Sequence, residues 1–232
     1  MSLNKRLHFL SETMTRNAGA EIEQMCEDVF ANQRRFATED GTIVSCPKTV
    51  PERPLLDANC QATTHGRLAA GRRCVVLCFR GSWCPFSTTS MRAYDAIRRP
   101  LADNGIAMYG VTPQHCCTLG SAVARNGLGF PLLTDPDQSF LEGLGVRVEI
   151  LPAMFDVYLR WGLDFSKLNE AGDWSLPLEA TFIVDADGAV QRAVAFPMPY
   201  DRMEPQAIIE HYCGAWPREN GGGRPEPELS AD

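Results

Sequence analysis

Apolar positions along the chain change period several times, and each change marks an element. Cys74-Val75-Val76-Leu77-Cys78-Phe79 is an apolar, partly β-branched run, which predicts a buried strand over 74–79. Directly afterwards Met91, Tyr94, Ile97 and Leu101 recur at helical spacing with polar residues between them. They predict a helix over 85–103, closed by Asn104-Gly105. Residues 106–111 read as a second buried strand, stopped by Thr112-Pro113, and 114–126 as a second helix ended by Asn126-Gly127. Phe130-Pro131-Leu132-Leu133 reads as extended, and Asp135 is a candidate cap for a short helix reaching about Leu144. Residues 181–184 and 189–196 read as strands joined by a hairpin turn at Asp185-Ala186-Asp187-Gly188, and 201–216 as a last helix.

Residues 1 to about 40 carry two helical stripes, Leu3, Leu7 and Leu10, then Ile22, Met25, Val29 and Phe36, with Asn17-Ala18-Gly19 as a break. They form an expected N-terminal helical arm over 1–45 that must pack on the domain or on a second subunit, so a homodimer is one expectation. A main domain over 46–216 follows, with an insertion of mixed structure at about 146–176, then a Gly-, Pro- and Glu-rich tail over 217–232 expected to be disordered. Strand–helix–strand–helix followed by a hairpin and a helix implies an α/β chain. The expected architecture is a mixed central sheet flanked by helices, the thioredoxin-like fold, with an N-terminal helical extension.

Composition narrows the function classes. The chain has 232 residues, 44% hydrophobic, with a net charge of −7 and scattered basic residues. No nucleic-acid partner is expected from that balance, and no stretch approaches a membrane span. The polar Ser11-Glu12-Thr13 breaks the Leu7-to-Leu10 run too early for a secretory signal. Nine cysteines cannot all pair within the chain, and their spacing matches no secreted disulfide framework. A cytoplasmic location with free thiols is the resulting expectation.

Cys84 stands where the first strand hands over to a helix, followed by Pro85, which suits a first helical position. Unpaired backbone N–H groups and the positive end of the helix dipole favour thiolate there, and Arg80 can add a fixed positive charge. Cys84 is thus the candidate nucleophile, whereas Cys74 and Cys78, inside the strand, read as core filler.

The run Phe79-Arg80-Gly81-Ser82-Trp83-Cys84-Pro85-Phe86 resembles the Tyr-Arg-Gly-Gly-Trp-Cys-Pro-Tyr-Cys signature of a peroxiredoxin-like branch of the alkyl hydroperoxide reductase and thiol-specific antioxidant (AhpC-TSA) superfamily. Gly110-Val111-Thr112-Pro113-Gln114, Phe130-Pro131-Leu132-Leu133-Thr134-Asp135-Pro136 and the stretch from Trp174 to Asp185 are similar in order and spacing. The resemblance spans roughly residues 20 to 215. It implies an antioxidant oxidoreductase in which Cys84 attacks a peroxide, becomes a sulfenic acid and is reduced by a second thiol. No cofactor or metal is implied. Four positions depart from the pattern. Leu77 and Gly81 stand where peroxiredoxins carry proline and threonine, which leaves Arg80 or Ser82 to replace the threonine hydroxyl. Ser87 stands where relatives often have a second cysteine, so no local disulfide can form, although its hydroxyl can donate to a thiolate. Glu179 stands where relatives place proline or arginine, and a carboxylate there is expected to raise the pKa of Cys84.

Single-cysteine peroxide reduction with an external thiol, glutathione or a thioredoxin-type protein, is therefore the leading expectation, with Cys84, Arg80 and Ser87 as catalytic candidates. Cys116 or Cys117, at the same end of the sheet, is a candidate resolving thiol. A metal site from His115, Cys116 and Cys84 lacks the paired Cys-x-x-Cys spacing of zinc sites. Trp83 reads as a packing residue beside the site. Two alternatives stay open: a glutathione-linked monothiol transferase, because Cys-Pro-Phe-Ser is similar to the Cys-x-x-Ser of monothiol glutaredoxins, and a catalytically degenerate thioredoxin-fold binding protein.

Overall fold

Strands that are apolar on both faces need helices on both sides of the sheet, and the chain supplies them. The computed structural model describes residues 1–18, 24, 27, 31 and 33–213. It runs α1 (Leu3–Ala18), β1 (Leu55–Leu56), β2 (Ala62–Thr63), α2 (His65–Ala69), β3 (Cys74–Cys78), α3 (Pro85–Asp95), α4 (Arg98–Asp103) and β4 (Ala107–Thr112). There follow α5 (Cys116–Asn126), β5 (Leu132–Thr134), α6 (Ser139–Gly143), β6 (Arg147–Glu149), a 3-10 turn (Pro152–Met154), α7 (Phe155–Arg160) and α8 (Phe165–Leu168). β7 (Ser175–Pro177), β8 (Ala180–Val184), β9 (Val190–Ala195) and α9 (Pro205–Cys213) close the described chain.

Seven strands form the main sheet in the order β2-β1-β5-β4-β3-β8-β9. The pairs β3–β4 and β4–β5 are parallel, and β3–β8 and β8–β9 antiparallel. This is the mixed, helix-flanked sheet the sequence predicts. Period-two alternation divides β3 between two cores. Val75, Leu77 and Phe79 face α1, α3, α4, α5 and α9, packing with Leu7, Met91, Tyr94, Leu101, Leu119 and Ile208. Cys74, Val76 and Cys78 face the other side, with Ala69, Phe140, Leu141 and Phe182. Cys74 and Cys78 are thus the core filler their place in the strand suggests.

Several elements differ from expectation. The helix expected over 85–103 breaks after Asp95, because Pro100 has no N–H for the Ala96 carbonyl and its ring crowds that carbonyl. The arm is not helical up to residue 40. Ala37 pairs with Ile43 across a turn in which Thr42 N–H donates to Thr38 Oγ1 and Asp40 Oδ1, and Gly41 takes φ +81°. Thr42 then pairs with Val194 and Thr49 with Ala189, so this strap runs along β9. α1 packs on its own domain through Leu3 and Leu7. Ile22, Met25, Val29, Cys26 and the tail over 217–232 lie outside the described residues.

The expected free thiols are corrected at two positions, where Cys60 and Cys116 form a disulfide with Cα atoms 5.3 Å apart. Cys60 sits in the β1–β2 turn at φ +57°, a turn tied by Asp57, and the fold sets that turn beside the start of α5. The insertion is closed at its ends by the β6–β7 pair. It is filled by Tyr158, Phe165 and Trp174, an aromatic cluster against which Trp83 packs. No helix among the described residues is long and apolar enough to cross a membrane.

Candidate active site

Cys84 is the N-cap residue of α3, extended at φ −87°, ψ 120°, with Pro85 as the first helical residue. The preceding loop is fixed from β4 and α5. Phe79 N–H donates to Val111 O, Thr112 Oγ1 donates to Arg80 O, and Ser82 N–H donates to Gln114 Oε1 at 2.7 Å. Gly81 has a specific reason to lack a side chain, since a Cβ there would lie 2.2 Å from Trp83 Nε1. The indole occupies the space that a threonine would need.

The register of β3 with β8 brings in the rest. Cys78 pairs with Ala180, so Glu179 lies at the end of β3 from which the Cys84 loop departs. Ser87, one turn into α3, donates its hydroxyl hydrogen to Glu179 Oε1, and Arg202 Nη2 donates to Glu179 Oε2. Cys84, Ser87, Glu179 and Arg202 are 4%, 0%, 5% and 6% exposed, so water does not compete for these contacts. Arg202 is held in turn by α1: its backbone N–H donates to Asn4 Oδ1, and Asn4 Nδ2 donates to its carbonyl. Glu204 caps the first turn of α1 through the N–H groups of Leu3 and Asn4.

Burial pushes the Cys84 thiol up, and the Glu179 carboxylate pushes in the same direction. Arg80 opposes them, followed by the Ser87 hydroxyl and backbone N–H. The expected lowering by the helix start is therefore outweighed, because desolvation of an anion is the larger effect. The expected opposition from Glu179 is present. Arg80 Nη2 reaches Gln33 Oε1 at 3.2 Å.

The candidate resolving thiols separate. Cys116 is bonded to Cys60, whereas Cys117, next to it, is free and exposed. His115 Nδ1 lies 2.9 Å from Glu170 Oε2, which also accepts from Cys116 N–H. The imidazole and the Cys116 sulfur are thus engaged with different partners, and Cys84 is a free, buried thiol. Sequence reasoning missed Gln33, Gln114 and Arg202. The chain distances from Cys84 to these residues carry no local signal, although Gln114 lies within a stretch already singled out.

The AhpC/TSA family model matches residues 48–193, more than half of the chain. The chain belongs to the AhpC/TSA family. The matched stretch of this AhpC/TSA chain contains Arg80, Cys84, Ser87, Cys116, Cys117 and Glu179, and leaves α1 and Arg202 outside. Among solved structures, peroxidoxin BcpB of Mycobacterium tuberculosis is similar with a TM-score of 0.54 and 15% identity, over 71% of this chain and 90% of that one. Reduced Prx3 of Vibrio vulnificus in complex with hydrogen peroxide gives 0.52 and 16%, over 66% and 88%. A cysteine-to-serine mutant of Xylella fastidiosa PrxQ gives 0.51 and 16%, over 67% and 87%. At such identity the likeness shows the fold, a peroxiredoxin-type thioredoxin-like fold. No curated protein matches the sequence.

Proposed function

We propose that the protein is a peroxiredoxin-type thiol peroxidase that works through Cys84 alone and is recycled by an external thiol. The observation that carries this reading is the place of Cys84, at the strand-to-helix handover of an AhpC/TSA chain with Arg80 and Ser87 acting on its sulfur. The sulfur attacks the terminal peroxide oxygen, the O–O bond breaks, and an alcohol or water leaves. Cys84 becomes a sulfenic acid. An external thiol condenses with it, releasing water, and a second thiol frees Cys84 as a disulfide departs. Glutathione or a thioredoxin-type protein fits this role, because Ser87 cannot form a disulfide, Cys116 is already paired, and Cys117 is exposed whereas Cys84 is buried.

The test is one equivalent of hydrogen peroxide followed by dimedone and peptide mass mapping. The reading expects the adduct on Cys84. Labelling of the exposed Cys46 and Cys117 with Cys84 unmodified would sink it. A second reading, a non-catalytic family member, is favoured by the burial of the thiol beside Glu179. A Cys84 that resists both peroxide and alkylating agents throughout the neutral range supports that alternative.

A further inference from the structure

A buried thiol that must ionise needs somewhere to send its proton. Cys84 is buried, and it caps the helix whose first turn carries Ser87, three residues on, which sets the serine hydroxyl on the side of its sulfur. The serine hydroxyl has one hydrogen, and Glu179 already holds it. A serine that donates its hydrogen onward keeps lone pairs free for the hydrogen of a thiol. The chain of groups therefore points one way, from Cys84 through Ser87 to Glu179.

We propose that Glu179 takes the Cys84 proton through Ser87 during attack on the peroxide and returns it to the leaving alkoxide. This rests on the thiol peroxidase reading above. In the step, the sulfur–oxygen bond forms to the terminal peroxide oxygen, which keeps its hydrogen and becomes the sulfenic hydroxyl. The O–O bond breaks, and its electron pair leaves on the alkoxide. Sulfur is oxidised and the peroxide reduced. The thiol proton passes to Ser87 Oγ as the serine proton passes to Glu179, and the reverse shift delivers a proton to the alkoxide. Thiol and hydroperoxide give sulfenic acid and alcohol, with no further oxidant or reductant.

Charge explains the advantage. Direct ionisation would put a second anion beside the Glu179 carboxylate in a site closed to water, which is costly. The relay keeps one negative charge throughout and moves it between carboxylate and sulfur. The cations near it are Arg202, from the segment before α9, which pairs with Glu179, and Arg80, from the loop before α3, which acts on Cys84. Tyr94 from α3 also feels Glu179, but its hydroxyl is committed to Met203 O and Thr181 Oγ1. Arg202 acts as a positioning residue that fixes the carboxylate, and α1 fixes Arg202 through Asn4. The carboxylate that departs from the family pattern thereby has a use at the same site.

The experiment measures the rate of Cys84 sulfenic acid formation from pH 5.5 to 9.5 in the full chain, for the wild type, Glu179→Gln and Ser87→Ala. Wild type should show a nearly flat profile through neutrality. Glu179→Gln removes a neighbouring negative charge, so its thiol should alkylate at a lower pH than that of the wild type. Its peroxide rate at pH 7 should nevertheless fall by about 10²-fold, on the scale of lost acid–base assistance, and rise tenfold per pH unit up to the thiol pKa. A merely structural role for Glu179 would not separate alkylation from peroxidation in this way. Ser87→Ala leaves the Glu179–Arg202 pair in place and should give the same sloping profile, which covers the case of a Glu179→Gln chain that does not fold. A folded variant of either kind with the wild-type rate and flat profile overturns the proposal. A wild type that forms no sulfenic acid at Cys84 overturns the peroxidase reading itself, and the relay with it.

Discussion

Arg202→Met should be among the most damaging single changes to stability outside the hydrophobic cores. It removes the only cation that the structure pairs with Glu179 among the described residues, leaving a carboxylate that is 5% exposed with Ser87 as its remaining hydrogen-bond partner. Breaking one side of a buried ion pair costs about 3–5 kcal/mol, most of it the cost of a stranded charge. Methionine refills much of the volume, so the cavity contribution is small. The bonds from Arg202 Nη1 to Met198 O and Asp201 O are also lost, but these carbonyls lie nearer to water. In a chain of this length the loss corresponds to a fall in Tm on the order of 10 °C. Urea unfolding at pH 7 measures it directly. The double variant Arg202→Met with Glu179→Gln removes the stranded charge, so it should recover at least half of the loss. A single variant that loses less than about 1 kcal/mol, or a double variant as unstable as the single one, would show that no buried charge is stranded.

Three further outcomes follow from other parts of the structure. Burial raises Asp135 from 3.8 to about 6 against the Leu141 and Phe140 N–H groups, and its Oδ1 meets no hydrogen-bond partner among the described residues. Because the folded pKa is the higher one, this stabilisation is complete below about pH 4 and lost as pH rises through about 6. Urea midpoints between pH 4 and 7 should show the wild type losing on the order of 2–3 kcal/mol relative to Asp135→Asn. Cys60→Ser opens the bond to Cys116, 56 residues away, and should cost about 2–4 kcal/mol under non-reducing conditions; the difference from wild type should vanish when both are unfolded in excess dithiothreitol. Gly81→Ala places a methyl 2.2 Å from Trp83 Nε1 and should cost about 1–3 kcal/mol as overpacking, accompanied by a changed tryptophan emission spectrum.

The parts of the fold legible in the sequence are those written in local pattern. β3, β4 and β8 are apolar runs, and Pro85 after Cys84 marks the start of α3 as observed. Pro100 also carried a readable signal, since a proline three positions after Ile97 disrupts the helical spacing that Ile97 and Leu101 suggest. The charge balance of the site is different in kind. Glu179 stands out in the sequence as a carboxylate at odds with the family pattern, but its partner Arg202 is 23 residues further on, across the β8–β9 hairpin. The pairing of Cys60 with Cys116 likewise depends on how the β1–β2 turn meets the start of α5. Such contacts come from the folded path, and neither composition nor periodicity encodes them. The same holds for desolvation: the helix start argued for a thiolate at Cys84, and only the packing around it reversed the balance.

The proposed function requires that one sulfur, that of Cys84, carry the reaction with peroxide. Consumption of an organic hydroperoxide in the presence of excess glutathione or a thioredoxin system, compared between wild type and Cys84→Ser, addresses it most directly. Cys84→Ser, with its fold intact, should fall to the background rate while Cys117→Ser stays close to wild type. Full activity in Cys84→Ser would contradict it.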